Sequence, residues 1–184
     1  MKNNILKVIM NRRSTRKYKE EQITDEELQI LLDSAIQAPS AMNSQPWHFT
    51  VVQNKEMINH INEKSKELMA KDENPYVSKV GKGSGHILYK APTVIVVSGK
   101  SEVNSAIVDC SAAIENMLIA GESIGLGSVW VGFAKWFFKI EDEVKKLEIP
   151  KGYEPFYAVA VGYKEDDNVV GPGIRNKDVV NYIK

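Results

Sequence analysis

The chain has 184 residues, enough for one domain that buries about 70% of its unfolded surface around a single core. Its 24 Lys and Arg balance 24 Asp and Glu, which excludes a global field drawing it to nucleic acid or an anionic membrane, so any anion site is local. The lone Cys110 excludes an internal disulfide and a cysteine-rich zinc or iron–sulfur site within one chain, and it fits a reducing, cytoplasmic setting.

Ile5, Leu6, Val8, Ile9 and Met10 predict a short opening helix, which Lys2, Asn3, Asn4 and Lys7 make too polar for a secretory signal. It runs into the basic cluster Arg12-Arg13-Ser14-Thr15-Arg16. Thr24 followed by Asp25, Glu26 and Glu27 reads as a capping box, and Leu28, Ile30, Leu31, Leu32, Ala35 and Ile36 give that helix its apolar face up to Pro39. Ala38 to Gln45 is a polar turn flanked by Pro39 and Pro46, leading into a strand over Trp47 to Val52. An amphipathic helix follows from Lys55 to about Lys71, with Ile58, Ile61 and Leu68 on one side.

From Lys71 to Lys90 the periodicity disappears among Asn74, Pro75, Gly81, Gly83 and Gly85, so a long mobile loop suited to a lid is expected there. Thr93 to Val97 is apolar on both faces and predicts a buried strand. Asn104 to Gly125 is apolar almost all round; about 22 residues of helix span about 33 Å, enough to cross a small domain's centre or line a subunit interface. Asp109, Glu115 and Glu122 argue against its lying in a bilayer. A further buried strand over Val129 to Phe133, a helix from about Ile140 to Leu147 and a last strand over Tyr157 to Tyr163 complete the elements. The tail from 164 to 184 has too few apolar groups to form a layer and must lie against its own domain or a partner. Residues 1–184 therefore read as a single domain.

The chemistry lies in two polar clusters. Arg12, Arg13, Ser14 and Arg16 can offer guanidinium forks and a hydroxyl to a phosphate, and Arg175 could add another, although such a cluster alone is more often a solvated helix end. The turn at Pro39, Ser40, Ala41, Asn43 and Gln45, beside Trp47, suits a planar, hydrogen-bonding ligand. Gly81 to Gly85 lacks the spacing and preceding strand of a phosphate loop. His48, His60 and His86 lack metal-ligand spacing, no serine sits in a nucleophile elbow, and Cys110 lies in an apolar helix. Without an evident acid, base or nucleophile, redox chemistry by a bound organic cofactor is the economical reading. Trp47, Trp130 and Trp136 read as core aromatics.

Arg-Arg-Ser-Thr-Arg near the start, Ala-Pro-Ser-Ala-Met-Asn-Ser-Gln-Pro-Trp about 25 residues on, Ala-Pro before a strand, Asp109 opening a long helix that ends in Gly-Leu-Gly-Ser, and a late arginine before Val179-Val180 together resemble the FMN-dependent nitroreductase family. The resemblance covers nearly the whole chain. It implies an α+β fold with a central mixed β-sheet flanked by helices, assembled as an intertwined homodimer whose long central helix packs on its mate, whose tail reaches the partner's sheet, and whose two FMN sites lie at the interface.

Position by position it implies that Arg12 and Ser14 contact phosphate and ribityl groups. It sets Arg16 near N1 and O2 of the isoalloxazine and Arg13 close to the cofactor. Pro39, Ser40 and Ala41 would line a ring edge, and Asn43 and Gln45 would bond across the subunit boundary. Val131 and Gly132 would lie beside N5 and O4, with Arg175 at the phosphate. Three departures stand out: the stretch Asp72 to Lys90, Gly171-Pro172-Gly173 before Arg175, and Glu115 where the family often has glutamine. The implied activity is ping-pong hydride transfer from NAD(P)H through flavin N5 to a small electrophile such as a nitroaromatic or quinone. The alternatives are a flavin-fragmenting or dehalogenating relative, or a non-catalytic FMN storage or sensor protein.

Overall fold

Val, Ile and aromatic residues crowd four stretches of the chain, and in a computed structural model that describes residues 4–165 and 174–184 they pair into one sheet. The strands are β1 (Trp47–Val52), β2 (Thr93–Lys100), β3 (Leu126–Val131) and β4 (Tyr153–Tyr163), in the order β1-β2-β4-β3 with antiparallel neighbours. A parallel element enters through the single bridge from Ser14 to Ser128 at the β3 edge. The expected α+β sheet flanked by helices is thus present.

Alternation along β2 sorts the two cores. Val94 and Val96 face a layer that holds α3 (Lys55–Met69), α4 (Pro75–Lys82) and the 3-10 segment Phe133–Lys139. Ile95 and Val97 face the opposite layer, α2 (Asp25–Ile36) and α5 (Ala106–Ser123). Each fully buried aliphatic side chain removed from water contributes about 1.5–3 kcal/mol, so this central strand is the main anchor of both layers. Trp47 and Trp136 are buried in the core, and Trp130 packs half-buried and edge-on against Tyr157.

α2 starts as expected, with Thr24 Oγ1 accepting from the Glu27 amide and Glu27 accepting from the Thr24 amide. β4 begins earlier than expected, at Tyr153; Pro155 is tolerated because β3 pairs only with 158–163, leaving that side of the strand free. β3 takes in Leu126 to Ser128 and ends at Val131, so Phe133 starts a 3-10 helix instead of closing a strand. A short helix, α6 (Glu141–Val144), runs into the 3-10 turn Lys145–Leu147.

The main correction concerns residues 71–90, expected as a long mobile loop. Asn74 caps α4 by accepting from the Tyr76 and Val77 amides, Pro75 occupies its first turn, and Ile87 and Leu88 are buried. The glycine that suggested a loop is a packing device: a Cβ at Gly81 would stand 2.3 Å from the Ala70 amide nitrogen, so only glycine lets α4 lie this close to the end of α3.

α1 (Asn4–Asn11) packs on α5 yet leaves Ile5, Leu6, Ile9 and Met10 exposed. Residues 174–184 form neither helix nor strand and are exposed throughout, including Ile174, Val179, Val180, Tyr182 and Ile183. Most of the join between this arm and β4, with Gly171, Pro172 and Gly173, lies outside the described residues.

Candidate functional site

A pair of facing glycines positions the first cluster. Gly127 of β3 and Gly162 of β4 are in register: a Cβ on Gly127 would collide with Thr15 Cγ2 of the crossing segment at 2.6 Å, and one on Gly162 would collide with Pro92 Cδ at 2.8 Å and press on Tyr18 Cδ1 at 3.2 Å. The Thr15 amide donates to Ser128 O at 2.9 Å, the Lys19 amide to Tyr163 O at 3.0 Å, and the Tyr18 hydroxyl to Thr15 O and Ala160 O at 2.7 and 3.2 Å. Burial pushes the Tyr18 phenol well above its ordinary pKa, so it stays protonated as this donor. Backbone pairing, rather than side-chain charge, therefore fixes where the arginines emerge.

Each arginine then has its own surroundings. Arg12 reaches Glu115 of α5 at 3.5 Å. Arg13 turns back onto the end of α1, donating to Met10 O and Arg12 O, a favourable place for a cation at a helix C-terminus; its Nε is buried without a partner. Arg16 is exposed, holds Ser14 O at 3.3 Å, and lies over the Tyr89 ring at 5.8 Å.

Tyr89 is presented by a tight turn in which Tyr89 and Lys90 have φ of 56° and 54°. His86 Nδ1 shapes that turn by accepting from the Leu88 and Lys90 amides at 3.2 and 3.3 Å, while Nε2 meets Asn59 Oδ1 at 3.3 Å. Burial, with Lys90 and Lys66 nearby, pushes the His86 pKa down to about 4 and keeps the ring neutral.

The second cluster, between α2 and β1, is conformationally costly. Met42, Asn43 and Gln45 have φ of 51°, 54° and 43°. Left-handed non-glycine residues cost about 1 kcal/mol or more each and persist only where the surroundings over-determine them. Ser40 Oγ accepts the Gln45 amide at 3.0 Å, and Gln45 Nε2 donates to Asn43 Oδ1 at 3.1 Å. Met42 is wholly exposed, and Ser44 Oγ is buried without a partner. The backbone is tied to the body of the protein by Asp109, whose Oδ1 accepts from the Ala41 amide at 3.3 Å.

The two clusters are therefore fastened to one helix at two stations. Asp109 and Glu115 stand six residues apart on α5, about 9 Å of rise. The hydrogen bonds and ion pairs of the described residues tie each cluster to α5 and not to the other. Val131 ends β3, Gly132 follows it before the 3-10 helix, and a Cβ on Gly132 would meet open space. Arg175 is exposed in the arm, contacting only its neighbour Ile174 O among the described residues. Sequence reasoning missed Tyr89, His86 and Ser44. A histidine two and four residues ahead of the amides it accepts was the available signal for the Tyr89 turn.

Cys110 is fully buried, and burial with Asp109 alongside pushes its thiol up to about 12, so it is protonated at neutral pH. Among the described residues no set of three His, Cys, Asp or Glu side chains could hold a metal, and no helix is long and apolar enough to cross a membrane.

Comparison with known proteins points one way. The profile of the Nitroreductase family matches residues 9–163. An NADH dehydrogenase/NAD(P)H nitroreductase assigned in Methanothermobacter thermautotrophicus is 33% identical over 179 residues, covering 95% of this chain and 83% of that protein. A nitroreductase with bound FMN from Desulfitobacterium hafniense superposes with a TM-score of 0.90 at 32% identity, over 100% of both chains. One with bound FMN from Bacteroides fragilis gives 0.88 at 28%, over 99% of this chain and 100% of the other.

Proposed function

The chain belongs to the nitroreductase family, and on that premise we propose that it is an FMN-dependent NAD(P)H oxidoreductase working as a homodimer. The observation that carries the reading is the pair of anchored polar clusters, rich in donors and without an alternative catalytic set. The donor set fits FMN. Among the described residues Arg13 Nε and Ser44 Oγ are buried and unpartnered, the Arg16 guanidinium has one long hydrogen bond, and Gly132 leaves room for a ring system to approach.

Arg12, Arg13, Ser14 and Arg175 would hold the phosphate and ribityl end, since guanidinium forks match a phosphate dianion. Arg16 would place a cation at the pyrimidine edge, favouring negative charge there. Pro39, Ser40 and Ala41 would set one ring edge through their backbone, Asn43 and Gln45 would bond to it from the partner chain, and Val131 and Gly132 would form the opposite side. In this reading the second cluster comes from the partner, because within one chain the two clusters are tied to separate stations of α5. Exposed Ile107 and Val108 on that helix, the apolar side chains of α1, and the arm provide surface for such a partner. FMN, when bound, supplies two-electron chemistry, taking hydride from NAD(P)H and passing it to a small electrophile such as a nitroaromatic or quinone. The whole of 1–184 then serves as one FMN-binding domain, with the arm 174–184 reaching the partner; 166–173 of the expected 164–184 tail lie outside the described residues.

The absorption spectrum of the purified protein tests this directly. Flavin bands bleached by NADH or NADPH and restored by a nitroaromatic are expected. Protein that stays colourless after incubation with FMN would remove the proposal, whereas bound flavin that neither nucleotide reduces would make it a storage or sensor protein.

A further inference from the structure

We infer that Asp109 is a positioning residue for the cofactor, acting through its hydrogen bond to the Ala41 amide to hold the strained turn in the shape that meets the flavin edge. The inference rests on the proposed flavin site and adds to it a residue that touches no cofactor atom.

The side chain is 6% exposed, and both of its oxygens are used: Oδ1 accepts from the Ala41 amide at 3.3 Å and Oδ2 from the Ser105 hydroxyl at 2.8 Å. Ser105 precedes α5 yet its hydroxyl makes no cap with the helix backbone, being committed to orienting the carboxylate. Asp109 itself lies in the first turn of α5, where the helix dipole favours an anion, so the position is chemically suited to a buried carboxylate.

What it holds is a turn in which Met42, Asn43 and Gln45 are all left-handed. Such a backbone relaxes unless fixed at both ends. The β1 end is fixed by Pro46 O, which accepts from the Lys100 amide at 2.9 Å. The α2 end is fixed 68 residues away in sequence, by Asp109. The Ser40 to Gln45 and Asn43 to Gln45 bonds lie within the turn and move with it.

Asparagine at this position retains both bonds, since its Oδ1 can accept from Ala41 and its amide can donate to Ser105 Oγ. Leucine matches the size and retains neither. The full-length protein is compared as Asp109→Asn and Asp109→Leu, reading FMN affinity by fluorescence titration and amide hydrogen exchange across 39–46. Asp109→Leu is expected to speed exchange in that segment and to weaken FMN binding, each at least tenfold, with exchange in α2 unchanged; Asp109→Asn should stay within about threefold of the unaltered protein. Local exchange and affinity unchanged in Asp109→Leu would overturn the inference, as would equal impairment by both substitutions. If Asp109→Leu does not fold, Ser105→Ala carries the test: exchange at Ala41 at least threefold faster supports the tether and unchanged exchange overturns it. The exchange measurement stands even if the unaltered protein binds no FMN, so failure of the tether and failure of the flavin site are told apart.

Discussion

Among the described residues Arg16 makes one hydrogen bond, at 3.3 Å to Ser14 O, and stands in solvent with the Tyr89 ring beneath it, so that most of its five donors face no partner there. A charge-assisted bond to an anionic edge contributes about 1.5–3 kcal/mol. Arg16→Ala is therefore expected to weaken FMN binding about tenfold or more, or to lower the potential of the bound flavin; titration and redox potentiometry that find neither changed would show that this side chain does not reach the flavin.

His86 yields a pH prediction at the same scale. Its folded pKa lies near 4, below the ordinary value of 6.5, because burial, with Lys90 and Lys66 nearby, opposes charge; the neutral ring leaves Nδ1 to accept the Leu88 and Lys90 amides. The unfolded chain takes up the proton first as pH falls, so this stabilisation is complete above 6.5 and is lost as pH drops toward 4. The group is partly exposed; discounted for solvent screening, the effect is about 1–2 kcal/mol. Urea unfolding between pH 7 and pH 4 should show a shallower loss of stability in His86→Gln than in the unaltered protein, and parallel curves would refute the assignment.

At the scale of elements, the glycine pair under the basic segment makes a distinct claim. A methyl at Gly127 would lie 2.6–2.8 Å from the Thr15 and Lys164 side chains, so Gly127→Ala must lift Thr15 and with it Ser14 and Arg16. Overpacking of this kind costs about 1–3 kcal/mol. Weaker FMN binding is expected beyond what the fall in melting temperature explains; a protein destabilised but binding FMN normally would detach the glycine pair from the site.

What was legible in sequence follows from how local each signal is. The Thr24 to Glu27 capping box, the uniformly apolar β2 and the long α5 are set by adjacent residues, and all are found where expected. α4 was obscured because Gly81, Gly83 and Gly85 read as flexibility, while the start signal in Asn74-Pro75 went unused. Gly81 is explained only by the approach of Ala70, a tertiary fact that no local pattern carries. The same holds for the candidate site: the two clusters stood out by composition, but the Ala41 to Asp109 and Arg16 to Tyr89 contacts join residues far apart in sequence.

For the whole molecule, the apolar surface left uncovered on one chain matters most. Ile5, Leu6, Ile9 and Met10 of α1, Ile107 and Val108 of α5, and the arm with Ile174, Val179, Tyr182 and Ile183 exceed what isolated surface residues explain. The composition of the arm alone points to the same conclusion, because it lacks the apolar content for a layer of its own. In the proposed dimer the partner covers these surfaces and brings its Asn43 and Gln45 to the first chain's arginines, so assembly and cofactor binding are one property. Native mass spectrometry of the protein reconstituted with FMN measures both at once. A dimer carrying two FMN, with monomer appearing only without cofactor, is predicted; a monomer that retains FMN, or a dimer that takes up none, would contradict a flavin site built by two chains.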